Sequence, residues 1–438
     1  MEVAIPTISP EPPRAGFHLP RVGAAISLFR DPTGFFTRAR SRHGDTFVVD
    51  VFGRPLFCVF SADGIRSLWA LPEATASKGL ADFEMLRHKV PDDLFAGRRI
   101  LPHDLFSSDD VAEYLKNAER ATREQLDELG DEGEFEVFDF TRRFGHRVGL
   151  ASWGGLTERS THHLDRLIAS LDALDSSESF VHPHRALGTV LTGKRRERRA
   201  LAQLEAIYHE LLTLREQSPP GALDLFDRIR SNWADTASPQ REIGIARDVV
   251  LVHMGSMSNL FAANAWTFIH LIDRPELLEA IRGGDNALLV RAAHESIRLR
   301  QRSIVLRRAL RNFDFDDGDR SYHIPNGVFL ATTMAVTNPT SLPGLDRFDV
   351  DNYDGAAFLR RGELETPEMV TTFGHGLHSC PAMRFSITSI QLLIGALARE
   401  FDFEARYHDP QPLRRQIGGV ARADRACRVR YRRRRGKT

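Results

Sequence analysis

Apolar residues return at helical spacing through residues 246–272, a long run that stops before Pro275. Shorter runs of the same period cover 32–39, 62–70, 111–129, 135–150, 160–174, 194–215 and 286–299. Breaks such as Ser176-Ser177-Glu178-Ser179 and Ser218-Pro219-Pro220-Gly221 separate them, and Ser107-Ser108-Asp109-Asp110 offers N-cap residues for 111–129. Met383, Phe385, Ile387, Ile390, Leu393 and Leu397 predict a last long helix. β-rich runs lie at 46–52 and 55–60, divided by Gly53-Arg54 in the manner of a hairpin, and at 426–431. Ile324-Pro325-Asn326-Gly327 reads as a turn between strands. Residues 1–20 read as an irregular lead-in and 74–108 as a loop. The pattern predicts a mainly α chain with small β-sheets.

Composition narrows the class. The chain has 438 residues, 42% of them apolar, with 59 basic against 59 acidic side chains. That is ample for a large core, and one unit over 1–438 with a basic tail at 432–438 is expected. Three cysteines, Cys58, Cys380 and Cys427, are too few for a disulfide scaffold, so a reducing cytoplasm is expected. No stretch approaches the roughly 20 apolar residues that span a membrane, and the N-terminus lacks a signal-peptide core. The basic run 194–199 contains Glu197 and reads as a solvated helix face rather than a nucleic-acid site. The expectation is a monomer that binds neither nucleic acid nor membrane.

The stretch Phe373-Gly374-His375-Gly376-Leu377-His378-Ser379-Cys380-Pro381-Ala382 delivers one cysteine to the start of the last helix. Pro381 suits a first helical position, which puts Cys380 at the predicted N-cap, where the helix dipole favours a thiolate. Gly374 and Gly376 let the backbone turn and approach a flat ligand. The run resembles the haem-binding loop of the cytochrome P-450 family, Phe-Gly-x-Gly-x-His/Arg-x-Cys-x-Gly, and departs from it only at Ala382. The resemblance implies that family's mainly α fold with small β-sheets and a haem b cofactor. It also implies Cys380 as the axial iron ligand, with Phe373 in the haem loop and His378 at a propionate.

Other segments follow the family in order. Glu295-Ser296-Ile297-Arg298 matches its Glu-x-x-Arg motif, a structural buttress of the haem loop. Arg307-Arg308-Ala309 resembles its Arg-x-Ala segment, which implies Arg307 as a propionate partner with Arg308 as the fallback. Lys116 and Arg120, one turn apart, resemble a propionate-facing pair, with Lys116 in place of the usual Trp or His. Residues 346–353 resemble the meander, where Asn352 replaces an arginine that usually locks onto Glu-x-x-Arg. Phe95 and Ile100 in the loop, and Ser303, Ile304 and Val305 before Arg307, are expected to line the substrate pocket. Cys58 reads as strand packing. Arg300-Gln301-Arg302 stands where the family usually has proline, and solvated surface charge is its plainer reading. The 426–431 strand resembles the chain end of bacterial members of the sterol 14α-demethylase branch.

The long run at 246–272 corresponds to the family's oxygen-side helix, whose signature is Ala/Gly-Gly-x-Asp/Glu-Thr. Anchored on Trp266, the alignment places Ser258 at the acid and Asn259 at the threonine. An amide hydrogen-bonds but is no general acid. The same replacement occurs in the branch that holds cholesterol 7α-hydroxylase and prostacyclin synthase. Two expectations follow. One is a monooxygenase that oxidises a fairly large apolar small molecule (a terpenoid, steroid, polyketide or lipid) in secondary metabolism. It would use O2 and electrons from a ferredoxin or flavodoxin docking near Arg384. The other is a haem-thiolate isomerase or dehydratase that acts on a peroxide or similar oxygenated substrate without O2 or electrons. A haem sensor or carrier is the third reading, and no output domain accompanies it.

Overall fold

The structure is a computed structural model that describes residues 7–16, 22–98, 102–106, 111–175, 188–189, 191–217, 224–355 and 357–435. The predicted cap at 107–110, the breaks at 176–179 and 218–221, and Ile100 lie outside them. In chain order the first helices are α1 (Ala25–Arg30), α2 (Pro32–His43), α3 (Ala62–Ala70), α4 (Lys78–Leu86) and α5 (Pro102–Leu105). Then come α6 (Val111–Asp127), α7 (Val137–Ser152), α8 (Leu164–Leu174), α9 (Arg195–Glu216) and α10 (Leu225–Asn232). The last are α11 (Gln240–Ile272), α12 (Pro275–Arg282), α13 (Asn286–Arg300), α14 (Met334–Thr340) and α15 (Met383–Glu400).

The 33-residue helix α11 is the axis of the molecule. It packs against α7, α9, α13 and α15, and from Leu260 to Leu271 every residue is buried. An all-round apolar helix is stable only with neighbours on all sides, which is what this bundle supplies. The contact with α7 is close because Gly145 offers no side chain: a Cβ there would fall 2.4 Å from the Phe261 ring. Helix α6 packs on both α7 and α15 and closes the bundle. No described helix is long and apolar enough to cross a membrane.

A six-stranded sheet flanks the bundle in the order β1-β2-β3-β9-β6-β4. Its strands are β1 (Arg14–Ala15), β2 (Thr46–Val51), β3 (Arg54–Val59), β4 (Ala76–Ser77), β6 (Ile304–Ala309) and β9 (Phe329–Thr333). The predicted hairpin is β2–β3, turned by Phe52 and Gly53, both at positive φ. Cys58 is fully buried in this sheet, as expected. Strands β5 (Glu132–Glu136), β13 (Arg428–Arg433) and β12 (Phe401–Ala405) form a second sheet in the order β12-β13-β5, and β7 (Phe313–Asp316) with β8 (Ser321–Ile324) and β10 (Tyr353–Asp354) with β11 (Ala357–Phe358) form two-stranded pairs.

Three local expectations are corrected. β1 lies in the predicted lead-in, because its backbone pairs in parallel with β2. Helix α4 occupies part of the predicted loop, capped by the Ser77 side chain, which accepts from Leu80 N–H. Residues 132–136 are a strand where a helix was expected from 135, because pairing with β13 outweighs local propensity.

His253, His270 and His294 are buried inside these layers and held neutral. Burial pushes each below the usual 6.5, helped by His146 at His253 and by Arg300 and Arg274 at His270, and His294 falls to about 4. Below 6.5 the unfolded chain takes up protons on these rings while the folded chain does not. Thermal stability is therefore expected to fall as the pH drops from 6.5 toward 4. A His294→Gln variant, compared by its melting temperature across that range, should show a shallower decline.

Candidate active site

Cys380 is half-buried and lies three residues before α15, not at its N-cap, which is Ala382. Only one N–H of the helix start, that of Ala382, reaches the sulfur, so burial dominates and pushes the thiol above its usual range. The predicted N-cap position of Cys380 is corrected accordingly, and burial rather than the helix start dominates at its sulfur. The loop around it is closed by the Cys380 N–H, which donates to the Phe373 carbonyl at 2.6 Å. Gly374 has φ +83°, and a Cβ there would lie 2.4 Å from the His378 carbonyl oxygen. Only glycine fits that turn. The Phe373 ring packs edge-on against His294 with centroids 5.6 Å apart.

The loop is anchored to a buried ion pair. Arg298 donates to both Glu295 oxygens at 2.7 Å, and neither side chain is exposed to solvent. Arg298 also donates to the carbonyls of Asn338 and Leu345, each at 2.8 Å. Asn338, fully buried, donates back to the carbonyls of Arg298 and Thr371 and accepts from Thr371 N–H. The Thr371 hydroxyl then accepts from Gly374 N–H at 2.7 Å, inside the cysteine loop. Asn352 supplies the third member of the cluster, with its amide donating to Glu295 at 3.1 Å, the same distance as the Asp349 N–H. A neutral amide thus stands where the family pattern has a cation. Asn338 was missed in the sequence, where Thr337-Asn338-Pro339 resembles an ordinary turn.

His378 and Arg307 meet in a second cluster. Arg307 is fully buried and gives its terminal nitrogens to the carbonyls of Trp69, Leu71 and Ala76. Its Nε and the Trp69 Nε1 are buried donors without an acceptor. The Trp69 ring lies 6.4 Å from His378 and 5.3 Å from His375. His378 is pushed below its ordinary value by burial and then by the Arg307 charge. Glu73 reaches both side chains, at 3.5 Å from His378 and 3.8 Å from Arg307. The sequence reading missed Trp69 and Glu73. Arg308, the fallback, is turned away and paired with Glu84.

On α11 the residues Leu251, Met254, Gly255, Ser258 and Asn259 recur at three- and four-residue steps and open one stripe in an otherwise enclosed helix. Asn259 is exposed on that stripe, and its Oδ1 accepts from Val420 N–H at 2.9 Å. Gly419 beside it leaves room only for hydrogen, since a Cβ there would lie 2.6 Å from the same oxygen. Val420 faces Gln301 in a β-bridge, and Arg302 N–H donates to the Gly419 carbonyl, so this turn joins α11 to the strand start at Ser303. The Ser303 hydroxyl is turned back onto Gln301.

Several predicted residues are not brought to these clusters. Arg120 pairs with Glu124 at 3.0 Å and donates to the Leu156 carbonyl. Lys116 is exposed on the same helix, α6, which packs on α7 and α15. Val305 turns into the sheet core with Phe57 and Leu330, and Ile304 packs against the Phe35, Phe36 and Phe47 cluster. The face of β6 that carries Val305, Arg307 and Ala309 is buried, whereas Ile304, Leu306 and Arg308 on the other face are half-buried. Phe95 is half-buried, edge-on to Phe83 at 5.0 Å.

The residues present fit a haem. A desolvated soft sulfur beside a glycine turn calls for a metal cation. Two orphaned buried donors beside His378 and Arg307 call for an acidic acceptor. Comparison with known proteins agrees. No family model matches the chain. It is similar to "Cytochrome P450 monooxygenase pynD" of Aspergillus niger, 26% identical over 62% of this chain and 56% of that protein. It is also similar to "Lanosterol 14-alpha demethylase" of Cunninghamella elegans, 19% identical over 92% and 87% of the two chains. With "Cytochrome P450 7B1" of Mus musculus it is 20% identical over 96% and 90%. The chain belongs to the cytochrome P-450 family of oxidoreductases.

The anchoring network makes a graded prediction. Asn352→Ala removes one of three donors to its Glu295 oxygen and should cost about 1–2 kcal/mol. Glu295→Gln leaves the Arg298 charge buried and unpaired and should cost about 3–5 kcal/mol. Chemical denaturation of the two variants side by side measures the order.

Proposed function

We propose that the chain is a cytoplasmic haem-thiolate monooxygenase, a single unit acting on a fairly large apolar small molecule. The observation that carries this reading is the Cys380 loop clamped through Asn338 to the buried Glu295–Arg298 pair. When bound, the haem supplies dioxygen activation, with a thiolate ligand pushing electron density toward the iron. Cys380 ligates the iron, Phe373 supports the loop, and His378 and Arg307 hold the propionates. Ser258 and Asn259 line the oxygen side. The Asn259 oxygen is committed to Val420 N–H, so its NH2 is the group left to the open stripe, where it orients an acceptor. The neighbouring Ser258 hydroxyl is then the side chain on this stripe that can carry a proton.

Ser303 sits nearest this turn among the expected pocket residues. The relative named for lanosterol demethylation supports a terpenoid or steroid-like substrate. A ferredoxin or flavodoxin would deliver electrons on the cysteine side, where Leu377, Met383 and Arg384 are exposed. The second reading, an isomerase or dehydratase that acts on a peroxide without O2 or electrons, is favoured by one feature, the amide at Asn259 in place of an alcohol.

Two experiments test this. Cys380→Ala should abolish the red-shifted carbonyl band of the reduced protein, and its persistence would remove Cys380 as the ligand. A ligand that shifts the ferric spectrum should then be turned over under labelled dioxygen with NADPH and a surrogate ferredoxin system. Label in the product supports the monooxygenase, whereas product formed without electrons supports the isomerase. Asn259→Asp keeps the acceptor for Val420 and loses the donor, so in a monooxygenase it should restore a proton carrier and raise oxygen-dependent turnover.

A further inference from the structure

The Arg307–His378 cluster already contains a carboxylate of its own. The Glu73 Oε1 accepts from Lys78 N–H at 3.0 Å and lies 3.5 Å from His378 Nε2 and 3.8 Å from Arg307. The Arg307 terminal nitrogens are spent on backbone carbonyls, which satisfy its hydrogen bonds but not its charge. Glu73 is the carboxylate paired with it. Lys78 does not change the balance, because its ammonium is engaged by Asp82. The Glu73 side chain is 46% exposed, so it can yield its place without disturbing the core.

We propose that Glu73 is a resident competitor for the haem carboxylates. It neutralises Arg307 before the group arrives, and repels the propionates afterwards. The idea rests on the haem-thiolate reading above. Two carboxylates sharing one buried guanidinium repel each other, and in a partly solvated site the repulsion is worth roughly a tenfold change in affinity. The Arg307–His378 pair therefore holds its cofactor less tightly than the residues alone imply, and Glu73 eases its exchange. Burial raises the Glu73 carboxyl, but the Ser77 and Lys78 hydrogen bonds and the neighbouring His378 and Arg307 outweigh it and hold Glu73 below the usual carboxylate range.

The test compares full-length wild type with Glu73→Gln, which keeps an acceptor for Lys78 N–H and removes only the charge. Each is loaded with haemin, and transfer to an excess of a haem-scavenging protein is followed by absorbance. The variant should lose haemin about tenfold more slowly. Reloaded with haemin dimethyl ester, whose carboxylates are capped, the two proteins should lose it at the same rate. Equal or faster loss of free haemin from Glu73→Gln would overturn the proposal, as would an advantage that survives with the ester. Failure of the underlying reading is distinct: wild type would then take up no haemin with a thiolate-type spectrum, and the proposal would fall with it.

Discussion

The Glu295–Arg298 pair is the constraint on which the rest depends. Taking both charges out of water is costly, and the pair persists because nearly every donor and acceptor on it is used. Five hydrogen bonds leave the Arg298 guanidinium, two to Glu295 and three to backbone carbonyls at Asn338, Leu345 and Arg347. Those carbonyls lie 40 to 49 residues beyond Arg298 in sequence, so one side chain fixes the relative position of α13, α14 and the meander. Asn338 extends the network to Thr371, and from there to the cysteine loop. The two ends of the loop, Phe373 and Cys380, rest against the main core, while Leu377 in its middle is 82% exposed. Its shape is inherited from polar groups in the core.

The oxygen side is built differently. Helix α11 is held by apolar contact on every face but one, and along that face Gly255 and Asn259 are exposed while Leu251, Met254 and Ser258 are half-buried. The amide at Asn259 does not cap its own helix, as asparagine in a helix often does. It reaches across to the turn at Gly418–Ala421, where glycines at positive φ clear the space. A threonine could not make this tie in the same way, because its hydroxyl is shorter by a bond. The replacement that weakens proton donation therefore gains a cross-link between the helix and the pocket wall.

Much of this was legible beforehand. The cysteine loop, the Glu-x-x-Arg motif and the long helix are carried by contiguous residues whose spacing reports their geometry. The hairpin and α3 were legible for the same reason, since period and turn chemistry are local. What escaped depends on partners distant in sequence. Asn338 and Trp69 look ordinary until the chain brings Arg298 and His378 beside them. β5 became a strand because β13 pairs with it, and no signal at 132–136 announces β13. Val305 satisfied the pattern of pocket residues, but an apolar residue in a strand cannot be sorted between core and cavity by sequence alone. Lys116 and Arg120 had the right spacing on a helix whose neighbours, α7 and α15, could not be read from it.

The Asn259–Val420 bond also ties a mid-chain helix to a point seven residues short of Cys427, where β13 is about to join the second sheet (427 minus 420). Both ends of that short span are pinned, one by the amide and the other by strand pairing. The span therefore behaves as a ruler. A single inserted residue would either rotate Val429 and Tyr431 out of the core or draw the turn off α11. Substitutions in the last twenty residues, remote from the cysteine in every linear sense, would retune the oxygen face of the pocket.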